Sequence, residues 1–241
     1  MAGGSPFATE RAALNAALMQ GTAEIHRAAE RVPFMVALFK AELPREAYAA
    51  YLGNLWYVYE ALEDEAERLK DDAEVGRLYS PELFRRDALD ADLRFFAGDD
   101  WRATFPGSAS SKAYAARIRE AATQFPPAYA PHHWLRYLGY VLGQDLLRKL
   151  VGKAYGVGEE GMNFYAFPGI ADPREYLRGY HARMNAIPLD EAGVERVVEE
   201  GVRAFQLQID LTEEMAADFG IATPDEEETG KILDDLAAQH P

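Results

Sequence analysis

The sequence contains no cysteine. A chain without thiols forms no disulfide, offers no thiolate nucleophile and binds no zinc or iron–sulfur cluster through sulfur. Any catalytic or metal-binding chemistry must therefore come from histidine, carboxylates, hydroxyls and amides.

Basic residues are scarce, since 25 Lys and Arg stand against 40 Asp and Glu and give a net charge of −15. Such a surface repels nucleic acid and anionic lipid, whose binding depends on Lys and Arg contacts with phosphate. The simplest interpretation of the acidic surface is solubility, and we expect neither a nucleic-acid nor a membrane partner.

Long apolar runs are also missing, because no stretch approaches the roughly 18–20 residues of a membrane span. The first residues, Met1 to Phe7, lack the basic and apolar regions of a signal peptide. We therefore expect a cytoplasmic protein. At 241 residues and 49% hydrophobic, the chain can bury a substantial core and is not a disordered sequence.

Helix signals fill the chain, and signals for strands or repeats are absent. Proline marks most helix starts. The predicted helices cover residues 10–30, 33–40, 44–70, 80–96, 110–124 and 132–155, then follow caps at Asp172, Asp190 and Thr223. We predict a single all-α domain over 10–220, a flexible N-terminus at 1–9, and a short acidic C-terminal helix and tail at 221–241.

His26 and Glu30 are four residues apart, so they share one face of the first predicted helix. A carboxylate there can accept from one ring nitrogen and leave the other free to bind a metal. The structural alternative is an exposed histidine–glutamate pair, which the spacing alone favours.

His132 and His133 begin a long helix, and the spacing favours buried packing over metal ligation. No histidine follows a glutamate by three residues, so the pattern of ferritin-like di-iron bundles is absent.

Gly139 and Gly143 lie one turn apart on the same helix face. Each costs about 1 kcal/mol relative to alanine in a helix interior, so something should approach the backbone there. Close packing of a neighbouring helix and contact with a flat ligand are equally compatible with this spacing.

Five short motifs in order, from about residue 15 to 219, resemble the heme oxygenase family. They are His26…Glu30 with Phe34-Met35, Arg136-Tyr137-Leu138-Gly139 with Gly143, Phe164…Phe167-Pro168…Ile170, Arg183-Met184-Asn185, and the stretch from Ala204-Phe205 to Glu214.

The resemblance implies a single-domain heme oxygenase-like helical bundle, with haem between a proximal helix and a kinked distal helix. It implies that His26 binds the haem iron and that Glu30 lies beside it. Gly139 and Gly143 would let the distal helix lie close over the ring. The other haem contacts that it implies are Met35, Trp134, Arg183 and Phe205.

The chain departs from the family pattern on the distal helix, where Tyr140, Leu142 and Gln144 replace an aspartate, a serine and a glycine. Tyr140 or Gln144 would then have to order the distal water that the aspartate orders in the family. The family's propionate-binding side chains correspond here to Met19, Trp134, Asp172 and His181, and nearby Arg174, Arg178 and Arg183 are candidate substitutes.

The implied activity is oxidative cleavage of haem to biliverdin, iron and carbon monoxide. It uses dioxygen and electrons from an external reductase or ferredoxin, and haem is both substrate and cofactor. Two alternatives stay open: a non-catalytic haem-binding or haem-sensing protein on the same fold, and a homologue that no longer binds haem.

Overall fold

A computed structural model of the chain describes residues 13–239, and this part contains α-helices and short 3₁₀ segments but no strand. The helices are α1 (Leu14–Glu30), α2 (Pro33–Phe39), α3 (Arg45–Leu69), α4 (Arg86–Ala97), α5 (Trp101–Thr104), α6 (Ala109–Gln124), α7 (Tyr129–Tyr155), α8 (Pro173–Asn185), α9 (Glu191–Asp218) and α10 (Glu226–Gln239). The 3₁₀ segments are Gly76–Leu78, Pro81–Leu83, Pro126–Ala128 and Asn163–Tyr165. The all-α prediction is confirmed. The N-terminal segment 1–9 lies outside the described residues.

Helix starts with a local capping side chain lie where the sequence predicts them. The Asp172 carboxylate accepts from the backbone N–H of Glu175 at 2.9 Å and begins α8. Asp190 accepts from Gly193 N–H at 2.8 Å and begins α9. Each cap satisfies a backbone donor that the first helical turn leaves without a partner.

The predicted helix from Ser80 to Phe96 is wrong at its start. Residues 81–83 form a separate 3₁₀ turn, the Ser80 side chain caps nothing, and α4 begins only at Arg86. The reason is a tertiary contact, because the Glu63 carboxylate on α3 accepts from the backbone N–H groups of Arg85 and Arg86. A cap supplied by a distant helix leaves no local sequence signal.

Helix α7 begins at Tyr129, three residues before the predicted start, and it runs unbroken past both glycines to Tyr155. Pro131 lies within its first turn, where a missing N–H costs nothing because that donor has no helical acceptor. The predicted bend at the glycines stays a prediction.

Helix α9 is the centre of the bundle and packs against α1, α2, α6 and α7. Its contact with α1 is unusually close, because a β-carbon at Gly21 would overlap Val198 and one at Gly201 would overlap Leu18. His26 follows Leu18 by eight residues and lies on the same side of α1. The close crossing therefore holds His26 beside α9, where its ring centroid is 5.0 Å from that of Phe205.

None of the helices in residues 13–239 is long and apolar enough to cross a membrane.

Candidate active site

A cavity of about 420 Å³ lies between α1 and α7. Its walls are mainly apolar and carry a few polar groups, which is the usual character of a small-molecule site. The lining comes from α1, α2, α7, α9 and α10, and consists of His26, Ala29, Glu30, Met35, Leu38, Phe39, Leu135, Arg136, Gly139, Tyr140, Gly143, Leu146, Leu147, Phe205, Gln208 and Leu233.

His26 and Glu30 form the polar part of the α1 wall. The His26 Nε2 atom is 3.3 Å from Glu30 Oε1, and half of the His26 side-chain surface is exposed. With a proton on Nε2 facing the carboxylate, the other ring nitrogen would keep a lone pair. Among the described residues, His26 is the single imidazole in the lining, and one imidazole is the proximal ligand of haem iron in globins and peroxidases.

The two α7 glycines form the opposite wall. Among the residues that the structure describes, a β-carbon on Gly139 would meet nothing within 4 Å, and one on Gly143 would meet only Leu147 of the same helix. No described part of a neighbouring helix therefore occupies the space that a side chain would fill at either position. The glycine face is an open cradle for a flat ligand, and this wall fits the ring that the sequence suggests.

Four polar side chains meet at the α7 side of the cavity. Arg136 donates from Nη1 to Gln208 Oε1 at 2.9 Å and from Nη2 to Tyr140 Oη at 3.0 Å. The Tyr51 hydroxyl is 3.2 Å from the Tyr140 hydroxyl. Arg136 and Tyr51 are buried, and Tyr140 is half-buried against the cavity.

The Tyr140 oxygen is in contact with two hydrogen-bonding groups in this cluster, Arg136 and Tyr51. Arginine only donates, so the Tyr140 oxygen accepts from Arg136. Burial raises the pKa of Tyr51 above its ordinary value, so Tyr51 keeps its proton. Either hydroxyl of the Tyr51–Tyr140 pair can donate to the other. When Tyr51 donates, it avoids the cost of a buried unpaired donor, about 1–3 kcal/mol, and the O–H of Tyr140 is left for a group in the cavity.

Seven of the ten predicted site residues line this cavity, namely His26, Glu30, Met35, Gly139, Tyr140, Gly143 and Phe205. Trp134 is adjacent to it, with its ring centroid 6.3 Å from that of Phe205. Gln144 lies outside the lining, and its side-chain amide donates to the backbone carbonyl of Val141 at 3.1 Å.

Arg183 is also outside the cavity. Its Nη2 atom donates to Ser80 Oγ at 3.3 Å, and its guanidinium lies 5.7 Å from the ring centroid of Tyr180. Arg183 follows Arg178 by five residues, which places it on another face of α8.

A second, more open cavity of about 630 Å³ lies between α8 and Leu142 of α7. Arg174, Arg178 and His181 line it, and their spacing of four and three residues places them on one face of α8. Burial lowers the pKa of His181, so the two arginines carry the positive charge at neutral pH.

The adjacent histidines at the start of α7 are buried and structural. His132 Nε2 is 2.9 Å from Glu200 Oε1, and His133 Nδ1 is 2.8 Å from the Tyr180 hydroxyl. Burial lowers the pKa of His133 to about 3. No group of three or more His, Asp or Glu side chains within residues 13–239 is arranged to hold a metal ion.

Sequence reasoning missed three polar groups of the site: Arg136, Gln208 and Tyr51. A signal for the first two exists, because Arg136 is one helical turn before Tyr140 and Gln208 is one turn after Phe205. Tyr51 comes from α3 and gives no such signal.

The fold and the site define an all-α ligand-binding protein, with one imidazole facing a glycine-exposed helix across an apolar cavity. A family model, Heme oxygenase, matches residues 12–214. Heme oxygenase 1 of Synechocystis sp. is 34% identical over 198 residues, 82% of this chain and 82% of the relative. Heme oxygenase 1 of Rattus norvegicus is 36% identical over 207 residues, 85% of this chain and 72% of the relative.

Solved structures of heme oxygenases also match this chain. The crystal structure of heme oxygenase-1 from Synechocystis in complex with heme has a TM-score of 0.81 at 32% identity, covering 93% of this chain and 97% of that one. The heme oxygenase from Leptospira interrogans has a TM-score of 0.80 at 32% identity, covering 84% and 99%. The chain belongs to the heme oxygenase family.

Proposed function

We propose that this protein is a heme oxygenase that cleaves haem to biliverdin, iron and carbon monoxide. The observation that carries the proposal is the placement of His26 opposite the open Gly139 face, in a chain of this family. Dioxygen and an external reductase or ferredoxin would supply the oxidant and the electrons, and a cytoplasmic location is part of the proposal.

His26 would bind the haem iron through the nitrogen that Glu30 does not engage. The carboxylate orients the imidazole and makes it a stronger donor, as second-sphere partners of metal-binding histidines do. Met35 and Phe205 would pack against the ring from α2 and α9. When bound, haem supplies the iron that activates dioxygen and the macrocycle that is cleaved.

On the opposite side, Tyr140 would hold a proton at Oη and deliver it into the cavity. Arg136 stays charged, and its hydrogen bond to the Tyr140 oxygen would hold the hydroxyl at the cavity wall. Arg136 also donates a hydrogen bond to the side-chain carbonyl oxygen of Gln208. The side-chain N–H groups of Gln208 would then be available to order water. The Tyr140 hydroxyl and the Gln208 amide would then order the distal water, which an aspartate orders in the family.

The second cavity, which Arg174 and Arg178 line, would set the orientation of the ring. Helix α8 contacts the N-terminal end of α1, where the Asn15 N–H donates to Asn185 Oδ1 at 2.9 Å. Helix α2 follows the C-terminal end of α1, so α8 and α2 lie at opposite ends of that helix. Arg174 and Arg178 would therefore attract the haem propionates toward the α8 end. The apolar edge of the ring would point toward α2.

The test is addition of ferric haem to the purified protein, followed by a reductant in air. A one-to-one Soret titration and a later biliverdin absorbance band are expected. Haem binding without biliverdin would instead indicate a haem-binding protein, and no haem binding would overturn the proposal.

A further inference from the structure

The C-terminal helix α10 lies beyond the part of the chain that the family model matches, which ends at residue 214. Yet Leu233 of α10 lines the cavity together with Leu38 and Phe39 of α2. The α10 helix packs against α2, so it covers the site at its α2 end.

Two further observations support this position of α10. Thr229, one turn before Leu233 and on the same helix face, is 3% exposed, whereas most of the described α10 surface is open to solvent. The Lys40 ammonium at the end of α2 is 2.9 Å from Glu228 Oε1 and 3.0 Å from Glu42 Oε2. The ion pair thus ties the helix to the end of α2, and the burial of Thr229 shows that the Leu233 face of α10 packs against the protein.

The charge of α10 fits the apolar edge of a tetrapyrrole better than its propionate edge. Glu226, Glu227 and Glu228 occupy its first turn, and they would repel carboxylates. The arginines of the second cavity lie on α8, toward the opposite end of α1. A ring with its propionates toward α8 therefore presents its apolar edge to Leu233.

We propose that α10 is part of the tetrapyrrole-binding site, with Leu233 in contact with the ligand, and that its attachment to α2 sets the rate of ligand release. This inference rests on the proposed function, since it takes haem as the ligand. It adds a ligand contact outside the matched family segment. The Lys40–Glu228 pair positions the helix and touches no ligand.

The experiment compares full-length variants by the rate at which ferric haem leaves each holoprotein for excess apomyoglobin. Leu233→Ser should release haem about tenfold faster, because it removes half-buried apolar surface from the contact. Glu228→Lys should release it about threefold faster, because attraction to Lys40 becomes repulsion. The double variant Lys40→Glu/Glu228→Lys should return the rate toward that of the wild type.

The matched control is Lys231→Ala, which removes the exposed 2.7 Å pair with Glu227 on the same helix and should leave the rate unchanged. Amide hydrogen exchange provides a readout independent of turnover, and haem should slow exchange over residues 226–234 in the wild type. Wild-type release rates in both Leu233→Ser and Glu228→Lys, or no protection of α10 by haem, would overturn the inference. Failure of the wild type to bind haem would overturn the proposed function itself.

Discussion

Replacing Gly139 with alanine should strengthen the fold and weaken haem binding at the same time. A β-carbon at this position meets no atom of the described residues within 4 Å, so we expect no clash in the ligand-free protein. A mid-helix glycine costs about 1 kcal/mol relative to alanine, and that amount should return as stability. For a chain of this length, it raises Tm by about 2–4 °C.

The effect on the ligand has the opposite sign, because the new methyl group enters the space where the ring should lie. Overpacking of a close contact costs about 1–3 kcal/mol, which weakens haem binding about fivefold to 150-fold. The two measurements are thermal unfolding of the ligand-free protein by circular dichroism and a Soret titration with ferric haem.

The matched control is Gly179→Ala on the exposed face of α8, where a β-carbon would make only an ordinary contact, 3.6 Å from Arg183 Nη1. It should gain the same stability and keep the wild-type affinity. Gly139→Ala with wild-type haem affinity would refute the placement of the ring against α7. A loss of stability would show that another part of the protein packs there.

Substitutions at three other residues test separate parts of the account. His26→Ala should lose the axial-imidazole spectrum of bound haem and regain it with added imidazole; unchanged axial ligation would exclude His26 as the ligand. Tyr140→Phe should lower the biliverdin yield per electron and Tyr140→Asp should raise it, measured with catalase present; equal yields in all three proteins would remove the hydroxyl from the proton path. Burial alone would raise the pKa of Glu200, but hydrogen bonds from Arg117 and His132 outweigh it and lower that pKa to about 2. Its ionised form therefore stabilises the fold above about pH 5, and this stabilisation is lost as the pH falls toward 2. Glu200→Gln should flatten that acid-side slope in urea unfolding, and an unaltered slope would contradict the assignment.

The sequence predicts those features whose causes are local. Asp172 and Asp190 cap helices because a side chain and a backbone N–H three residues away are enough to begin a turn. The placement of His26 with Glu30 and of Gly139 with Gly143 follows from helical periodicity and from the family resemblance. Both pairs line the cavity.

Features that depend on distant contacts are missing from that prediction. The start of α4 depends on Glu63 of α3, and the Tyr140 hydroxyl on α7 pairs with Tyr51, which also belongs to α3. Leu233 reaches the cavity because α10 folds back onto α2. The family motif predicts Arg183 as a haem contact, but the position of Arg183 on α8 directs its side chain to Ser80.

The measurement that tests the central claim most directly is a single turnover of the ferric haem complex under oxygen-18-labelled dioxygen, with a reductase and catalase present. The account predicts labelled biliverdin by mass spectrometry and one carbon monoxide per haem. Haem that binds through His26 but is recovered intact, from both the wild type and Tyr140→Asp, would contradict it.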